Sequence, residues 1–533
     1  MSSYNLVTEK WIPCVLLDGK PTNIGLHEIL RASHEIREIF DPSPLITSAI
    51  HRLLLVILHR NFGPANLGEW EKCWNKGLWD EDILNDYFRK WHSRFDLFDN
   101  KYPFYQCHEL SKVKKHPIQH LAMEASSGNN VTLFDHSNDD NPAEFSPAKA
   151  ARYLIATQAY SIGFGRSTPF NFRDSPLIRG LSVMVLGNTL FETLALNFII
   201  YNKQRPFQQM GNDCPAWELD EPVVPNKDGS PIKGYLDYLT WQSRSVHLFP
   251  EGNPLSVQFC QIQQNLRLPE QEYFDPFKCY RKNEERGFVQ LNINPKKALW
   301  RDSHSLFQTT DHSFKRPELI NFLARIRIDC HDIKRKIQPA YWLAINGLAT
   351  ESRNPANVLL WRQERLPLPL KYLEDEDLID ALKNALELAN DIAKSLNNAT
   401  LCLATQLIAP DTDIKKINKA QKNVISGIAK GFSPMRSYWA TLGVKCNNLL
   451  LRLPDDKAVN NKQVIYGEKV IPWWVIEARN AAYDSFELAT QSLERSARSL
   501  KAASQAESLL RSDLNLIVKP YLDNKSVQGG NVE

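Results

Sequence analysis

The sequence lacks the short motifs that mark several large classes of enzyme. It contains no Gly-x-Ser-x-Gly nucleophile elbow, no His-Glu-x-x-His zinc motif and no Walker phosphate loop. None of its nine cysteines forms a Cys-x-x-Cys pair or stands at zinc spacing from a histidine. Because several classes are missing together, we expect a protein that is not an enzyme.

The chain also has little that would carry it to a membrane. No basic and then apolar leader opens it. Its longest apolar run, Leu53 to Leu58, is too short to span a bilayer. An odd number of dispersed cysteines is typical of buried thiols in a reducing compartment. We therefore expect a cytoplasmic protein without a membrane partner.

The excess of basic over acidic residues is also small, since the net charge is only +3 over 533 residues. Any nucleic-acid binding must therefore depend on local clusters. The length favours two or more domains. Thirteen tryptophans favour stable packing or stacking surfaces over disorder.

The first hundred residues predict a hairpin followed by helices. Asp18-Gly19 predicts a hairpin turn within residues 4–26. Helices are expected at 25–40 and 44–61, and again within 65–100. The last region should pack through an aromatic core of Trp70, Trp74, Trp79, Phe88 and Trp91.

The central stretch, residues 120–179, predicts a short helix with a polar loop at each end. Ser146-Pro147 has the order of an N-cap and first helical residue, and the helix should run to about Ser161. The glycine loop that follows consists of Gly163, Phe164, Gly165 and Arg166. It reads either as a helix end and turn, or as a loop whose bare backbone can enter a minor groove. A phosphate cradle is disfavoured, because the glycines follow a helix.

Residues 181–361 mix short strands and helices without a regular βαβ alternation. We expect a strand at 181–186, a helix at 189–201 and a strand at 288–293, then elements at 319–328, 341–348 and 358–361. Arg281-Lys282 is a basic pair beside an aromatic residue, and a solvated strand end is the simpler reading of it. Residues 350–357 have turn composition.

The composition changes near residue 370. Apolar residues then recur at helical spacing, and helices near 378–396, 412–430, 434–452 and 473–511 suggest a four-helix bundle. The fold class is therefore α+β: a large mixed domain (1–370), an all-α four-helix bundle (371–522) and a disordered tail (523–533).

Two groups of basic residues recur at helical spacing in the bundle. They are Lys415, Lys419 and Lys422, and Arg495, Arg498 and Lys501. Such stripes can follow a phosphate backbone, although a solvated helix face explains each stripe equally well.

One alternative function is a metal-dependent nuclease using Asp135, His136, His331 and Asp332. That chemistry needs further ligands converging on one ion, and no supporting motif is visible. A second alternative is a helical scaffold that binds only protein.

The order of several motifs resembles the CasA family, the large subunit of the type I-E CRISPR surveillance complex called Cascade. The resemblance covers essentially the whole chain. It is carried by Asn5 to Pro13, Ser127 to Asn130, Leu133 to Ser137, Ser146-Pro147-Ala148, Gly163-Phe164-Gly165 and Leu299 to Asp302.

The resemblance implies a subunit that recognises the protospacer-adjacent motif in double-stranded target DNA from the minor groove, opens the duplex for R-loop formation, and leaves cutting to a recruited helicase-nuclease. Its other implied partners are the remaining Cascade subunits and the CRISPR guide RNA. A cysteine pair present in some members is absent here, so we expect no zinc and no other cofactor.

The resemblance also implies roles for particular residues. Gly163 to Arg166 would bind the motif together with Arg281 and Lys282. The loop near the guide end would use Asn130, Phe134, Asp135 and His136, and the wedge would use Arg353, Asn354, Pro355 and Asn357. The two basic stripes of the bundle would hold the DNA backbone.

Overall fold

A computed structural model gives the structure of the protein. It describes residues 3–122, 142–161, 175–221, 223–226, 230–269, 273–307, 313–350, 358–410, 418–460, 463–491, 493–494 and 496–522. The chain divides into two compact units. The larger comprises Met1–Lys296 and Thr309–Leu366, and the smaller comprises Lys297–Gln308 and Pro367–Glu533.

The elements of the larger unit are, in chain order, β1 (Ile12–Leu16), β2 (Pro21–Ile24), α1 (Leu26–Arg31), β3 (Ile36–Ile39), α2 (Pro44–Phe62), α3 (Leu67–Lys76), α4 (Glu81–Trp91), β4 (His116–Pro117), α5 (Pro147–Tyr160), β5 (Ser182–Leu186), α6 (Leu190–Leu196), α7 (Tyr235–Leu239), β6 (Arg244–Glu251), β7 (Ser256–Gln264), β8 (Tyr280–Asn283) and β9 (Gly287–Gln290). After α8 (His304–Phe307) of the smaller unit come β10 (Phe314–Lys315), α9 (Glu318–Asp329), β11 (Ala340–Thr350) and β12 (Val358–Pro369), whose last residues belong to the smaller unit.

The expected hairpin is present, and a third strand joins it. β1 pairs with β2 across a turn in which Gly19 has φ +86°, a conformation that favours glycine. The prediction of one helix over residues 25–40 is wrong in its second half. Ile36 and Ile39 are buried in β3, which takes its hydrogen bonds from β1.

The aromatic stripe is core, as expected, for most of its members. Trp70 stacks on Trp74 with ring centroids 5.5 Å apart, and Trp79 packs against Phe191. Phe88 is also buried, whereas Trp91 is only half-buried at the end of α4. These aromatic side chains therefore anchor α3 and α4 in the core of the larger unit.

The helix of the central stretch begins where its cap predicts. The Ser146 hydroxyl accepts a hydrogen bond from the Lys149 amide, and Pro147 is the first helical residue of α5. α5 packs on α2, where the Tyr160 hydroxyl donates to Ser48 Oγ at 2.9 Å. Its two ends are therefore held in place.

The sheets of the larger unit are small. Their strand orders are β2-β1-β3, β4-β7-β6, β10-β8-β9 and β12-β11-β5. Two expected elements are shorter than the pattern indicated. α6 ends at Leu196 because the Asn197 amide hydrogen-bonds the backbone of Val185 in β5. β9 ends at Gln290 instead of residue 293.

The smaller unit contains α10 (Glu376–Ile408), α11 (Lys419–Phe432), α12 (Pro434–Arg452), β13 (Lys457–Asn460), β14 (Gln463–Tyr466), α13 (Val470–Gln491) and α14 (Ala497–Leu522). α10, α12, α13 and α14 pack together, and α11 lies on α10. This confirms a mixed fold with a helical C-terminal region.

Two details of the smaller unit differ from the expectation. The helix expected at 473–511 is two helices, because the Ser496 hydroxyl caps the start of α14 by accepting from the Ser499 amide. The antiparallel β13–β14 pair was not expected at all. Nothing in the sequence pattern indicated that residues 297–308 join this unit, where Trp300 packs against Trp439 and Trp474.

Candidate nucleic-acid interface

Most of the loop residues expected at the site lie outside the described residues. These are Asn130, Phe134, Asp135, His136, Gly163, Phe164, Gly165, Arg166, Arg353, Asn354, Pro355, Asn357, Lys415 and Arg495. The elements that flank them are described. α5 ends at Tyr160 just before the glycine loop, and the expected wedge residues connect β11 to β12, adjacent strands of one sheet.

Arg281 and Lys282 lie on β8, the central strand of its sheet, and both side chains are exposed. Neither has an ion-pair partner among the residues the structure describes. In the register, Arg281 is opposite Val289 and Phe314, whereas Lys282 is opposite Phe288. Because successive side chains of a strand point to opposite faces, the two cations cannot contact one ligand from the same face.

The face that carries Lys282 is aromatic. Phe288, directly opposite, is 39% exposed. Behind it, the Phe274 ring meets Tyr280 and Phe288 edge-on, with centroids 5.0 Å and 6.1 Å away. The Lys315 ammonium lies 3.2 Å from the Phe274 ring centroid, and burial lowers its pKa. This face therefore offers cations beside an exposed ring, a combination suited to nucleic acid.

Phe288 and Lys315 are functional candidates that the sequence reading missed. The pattern showed a short strand near 288, but not that Phe288 pairs with Lys282. The only local signal is the Gly287-Phe288 step, which is too common to single out a site. Strand register was needed to find them.

The second basic surface lies on α11. Asn418 caps this helix in a reciprocal capping box with Gln421, so its first turn is well defined. Lys419 and Lys422 are exposed on that turn, and Lys430 is exposed near the other end. Neither α11 nor α12 contains an aspartate or glutamate. No carboxylate on either helix therefore offsets the positive charge of the α11 lysines.

The basic stripe on α14 is less uniform. Arg498 and Lys501 are exposed near the start of the helix. Further along, Arg511 pairs with Glu507 on the same helix at 2.7 Å. This helix is consequently a weaker candidate for phosphate binding than α11.

The residues considered for a metal site are only partly described. His331 and Asp332 are exposed after α9, and the Asp332 carbonyl accepts a hydrogen bond from the Asn75 amide. Within the described ranges, no three His, Cys, Asp or Glu side chains come together in a way that could hold a metal ion. No helix in that part of the chain is long and apolar enough to cross a membrane.

Comparison with known proteins gives one family over nearly the whole chain. The model of the family "CRISPR-associated protein Cse1" matches residues 5–485. A CasA/Cse1 protein of Thermus thermophilus is 27% identical over 517 residues, which cover 95% of this chain and 96% of that protein.

Solved structures agree in fold. The crystal structure of Thermus thermophilus CasA superimposes with a TM-score of 0.78 at 24% identity, covering 97% of this chain and all of that one. Cse1 from Acidimicrobium ferrooxidans gives 0.78 at 21% identity, covering 98% of this chain and 99% of its own. A chain of a CRISPR RNA-guided surveillance complex gives 0.71 at 20% identity, covering 96% of this chain and all of that one. The expected family is thus confirmed, and the chain belongs to the CRISPR-associated Cse1 (CasA) family.

Proposed function

We propose that this chain is a non-catalytic subunit of an RNA-guided antiviral complex in the cytoplasm. It recognises the protospacer-adjacent motif in duplex DNA from the minor groove, promotes strand opening, and recruits a separate helicase-nuclease. Its partners are the other Cascade subunits, the guide RNA and target DNA. The observation that carries the proposal is the family match over residues 5–485.

Two features of the described surface support a DNA-binding role. The net charge is small, so binding needs concentrated basic groups, and the β8 face and α11 supply them. The minor groove distinguishes base pairs poorly, which suits tolerance of several related flanking motifs. Base pairing with the guide RNA would then read the target itself.

The proposal divides the work among loops and surfaces. Gly163 to Arg166 would enter the groove with Lys282 beside them, and Arg353, Asn354, Pro355 and Asn357 would separate the first base pairs. Asn130, Phe134, Asp135 and His136 would contact the guide end or the motif. The basic groups of α11 and α14 would hold the DNA backbone.

The test is duplex binding by the reconstituted complex, with and without this chain, across a library of flanking sequences. We expect binding to require both the chain and a preferred flank, and Gly165→Asp to abolish that preference. Lys282→Glu should weaken binding to the preferred flank by at least about tenfold, a loss within the range of one strong contact. Lys336→Glu makes the same charge change at another exposed lysine and should have little effect.

Two results would replace the proposal. If the complex binds every flank equally, or binds without this chain, the protein is a scaffold. If the purified chain cuts DNA in the presence of a divalent cation and His331→Ala removes the cleavage, it is a nuclease.

A further inference from the structure

A cavity of about 520 Å³ lies in the larger unit. One wall is a face of β11, whose alternate residues Trp342, Ala344 and Asn346 line it. Residues of β3 and of the first turns of α2 line it as well. Its volume falls within the range of roughly 300–1,000 Å³ that is usual for small-molecule sites.

The inner part of the cavity offers a polar atom that lacks a partner. Asn346 is only 3% exposed, and its side-chain oxygen Oδ1 has no hydrogen-bond partner within the described ranges. A buried carbonyl oxygen without a partner is unfavourable, so this oxygen is suited to a ligand that donates a hydrogen bond.

His51 adds a second acceptor to the same cavity. Its Nδ1 lies 2.8 Å from the Thr47 carbonyl oxygen and donates to it, which leaves the Nε2 lone pair available. Burial lowers the pKa of His51 to about 4, so the ring is neutral near pH 7. A ligand reaching His51 must therefore present a donor.

The outer part of the cavity combines a flat ring with positive charge. The Trp342 side chain is 42% exposed although it lines the cavity, so an indole face is available for stacking. Arg365 at the mouth is paired with Glu38. Arg37 is exposed and has no ion-pair partner among the described side chains, which leaves one uncompensated guanidinium at the entrance.

We propose that this cavity binds a nucleotide, with the base stacked on Trp342, its polar edge on Asn346 and His51, and its phosphate on Arg37. A nucleobase has the flat ring and the amino or imino donors that these groups require, and a phosphate is the natural partner of a free guanidinium. The ligand is either a free nucleotide or one nucleotide of a single strand. The site does not depend on the DNA-motif proposal.

Equilibrium dialysis of the full chain against labelled AMP, CMP, GMP and UMP tests the proposal. We expect at least one of them to bind. The corresponding nucleoside lacks the phosphate and ribose 5-phosphate lacks the base, so each should bind at least about tenfold more weakly. Trp342→Ala should weaken binding by about five- to a hundredfold, the range of base–aromatic stacking. Asn346→Leu should weaken it also.

Trp361→Ala is the matched control, since Trp361 is 39% exposed on β12 but does not line the cavity. It should bind as the unaltered chain does. Because Trp342 is partly exposed, Trp342→Ala should leave the fold intact. It therefore tests the proposal even if Asn346→Leu fails to fold.

A single-stranded 12-nucleotide DNA used as a competitor distinguishes the two sources. If it displaces the mononucleotide and depends on Trp342, the site takes a nucleotide of a strand; if it does not compete, the ligand is a free nucleotide. The proposal is overturned if none of the four mononucleotides binds at millimolar concentration, or if binding is the same in Trp342→Ala as in Trp361→Ala.

Discussion

At the residue scale, the most unusual buried group is His59 on α2. It is 1% exposed and lies among the rings of Phe198, Tyr201 and Tyr235, with centroids 4.5–5.6 Å away. Neither ring nitrogen has a hydrogen-bond partner in the described part of the chain. Burial lowers the pKa of His59 to about 3, so the folded protein keeps this ring neutral.

This burial predicts a pH dependence of stability. The unfolded histidine has a pKa of 6.5 and the folded one a lower value, so below pH 6.5 the unfolded chain binds more protons. The stability associated with neutral His59 is fully present above pH 6.5 and is lost as the pH falls towards the pKa of His59 in the folded protein. His59→Leu should therefore reduce the slope of the unfolding free energy by about 1.4 kcal/mol per pH unit between pH 6 and 4.5.

Urea unfolding at pH 7, 6, 5 and 4.5 measures that slope. His331→Ala, at an exposed histidine, should leave it unchanged. Parallel curves for His59→Leu and the unaltered chain would show that His59 is hydrated or protonated in the folded state.

At the element scale, α11 packs apolar residues on α10 and leaves its lysines exposed. Its one fully buried residue is Ile425, which packs with Ala404 of α10, while Ile408, Ile428 and Ala429 complete the contact. The lysines are left on the exposed surface. Burial of the apolar side thus orients the basic side outward.

The α11 surface predicts a change in the salt dependence of DNA binding by the assembled complex. Each phosphate contact contributes about 0.9 to the slope of log K against log salt. Reversing Lys419 and Lys422 to glutamate should weaken binding and reduce the slope by about two. The same reversal at Lys112 and Lys114, exposed in the larger unit, is the control. An unchanged slope in the α11 variant would mean that these lysines form only a solvated helix face.

At the scale of the whole molecule, none of the nine cysteines, all of which lie in described residues, forms a disulfide. Cys14, Cys214, Cys260, Cys279 and Cys446 are buried, and the other four are partly buried. Burial raises the pKa of Cys260 and Cys279 to about 12. Protonated, buried thiols react slowly, so the fold neither uses disulfides nor exposes a reactive cysteine.

We therefore expect Ellman's reagent at pH 8 to modify the folded chain slowly and incompletely, because thiolate is required for reaction. In denaturant all nine thiols should react rapidly. The thermal midpoint should be the same with and without a reductant. A fast stoichiometric reaction of several thiols in the folded chain would contradict the burial.

Much of the fold was readable from short windows of sequence. The Ser146-Pro147 cap, the Asp18-Gly19 turn and the full length of α12 were all predicted correctly. These features depend on residues a few positions apart, so a local reading finds them. The misses at β3, α6 and α14 arose where a distant strand or a capping side chain overrode the local helical pattern.

The sequence by itself determined the family and the helical C-terminal region. Only the tertiary structure decided that Arg281 and Lys282 point to opposite faces, that Phe288 stands beside Lys282, and that Asn346 lines a cavity with Trp342. The physical reason is that strand register and cavities are set by residues far apart in the chain. Periodicity within one segment carries no information about that pairing.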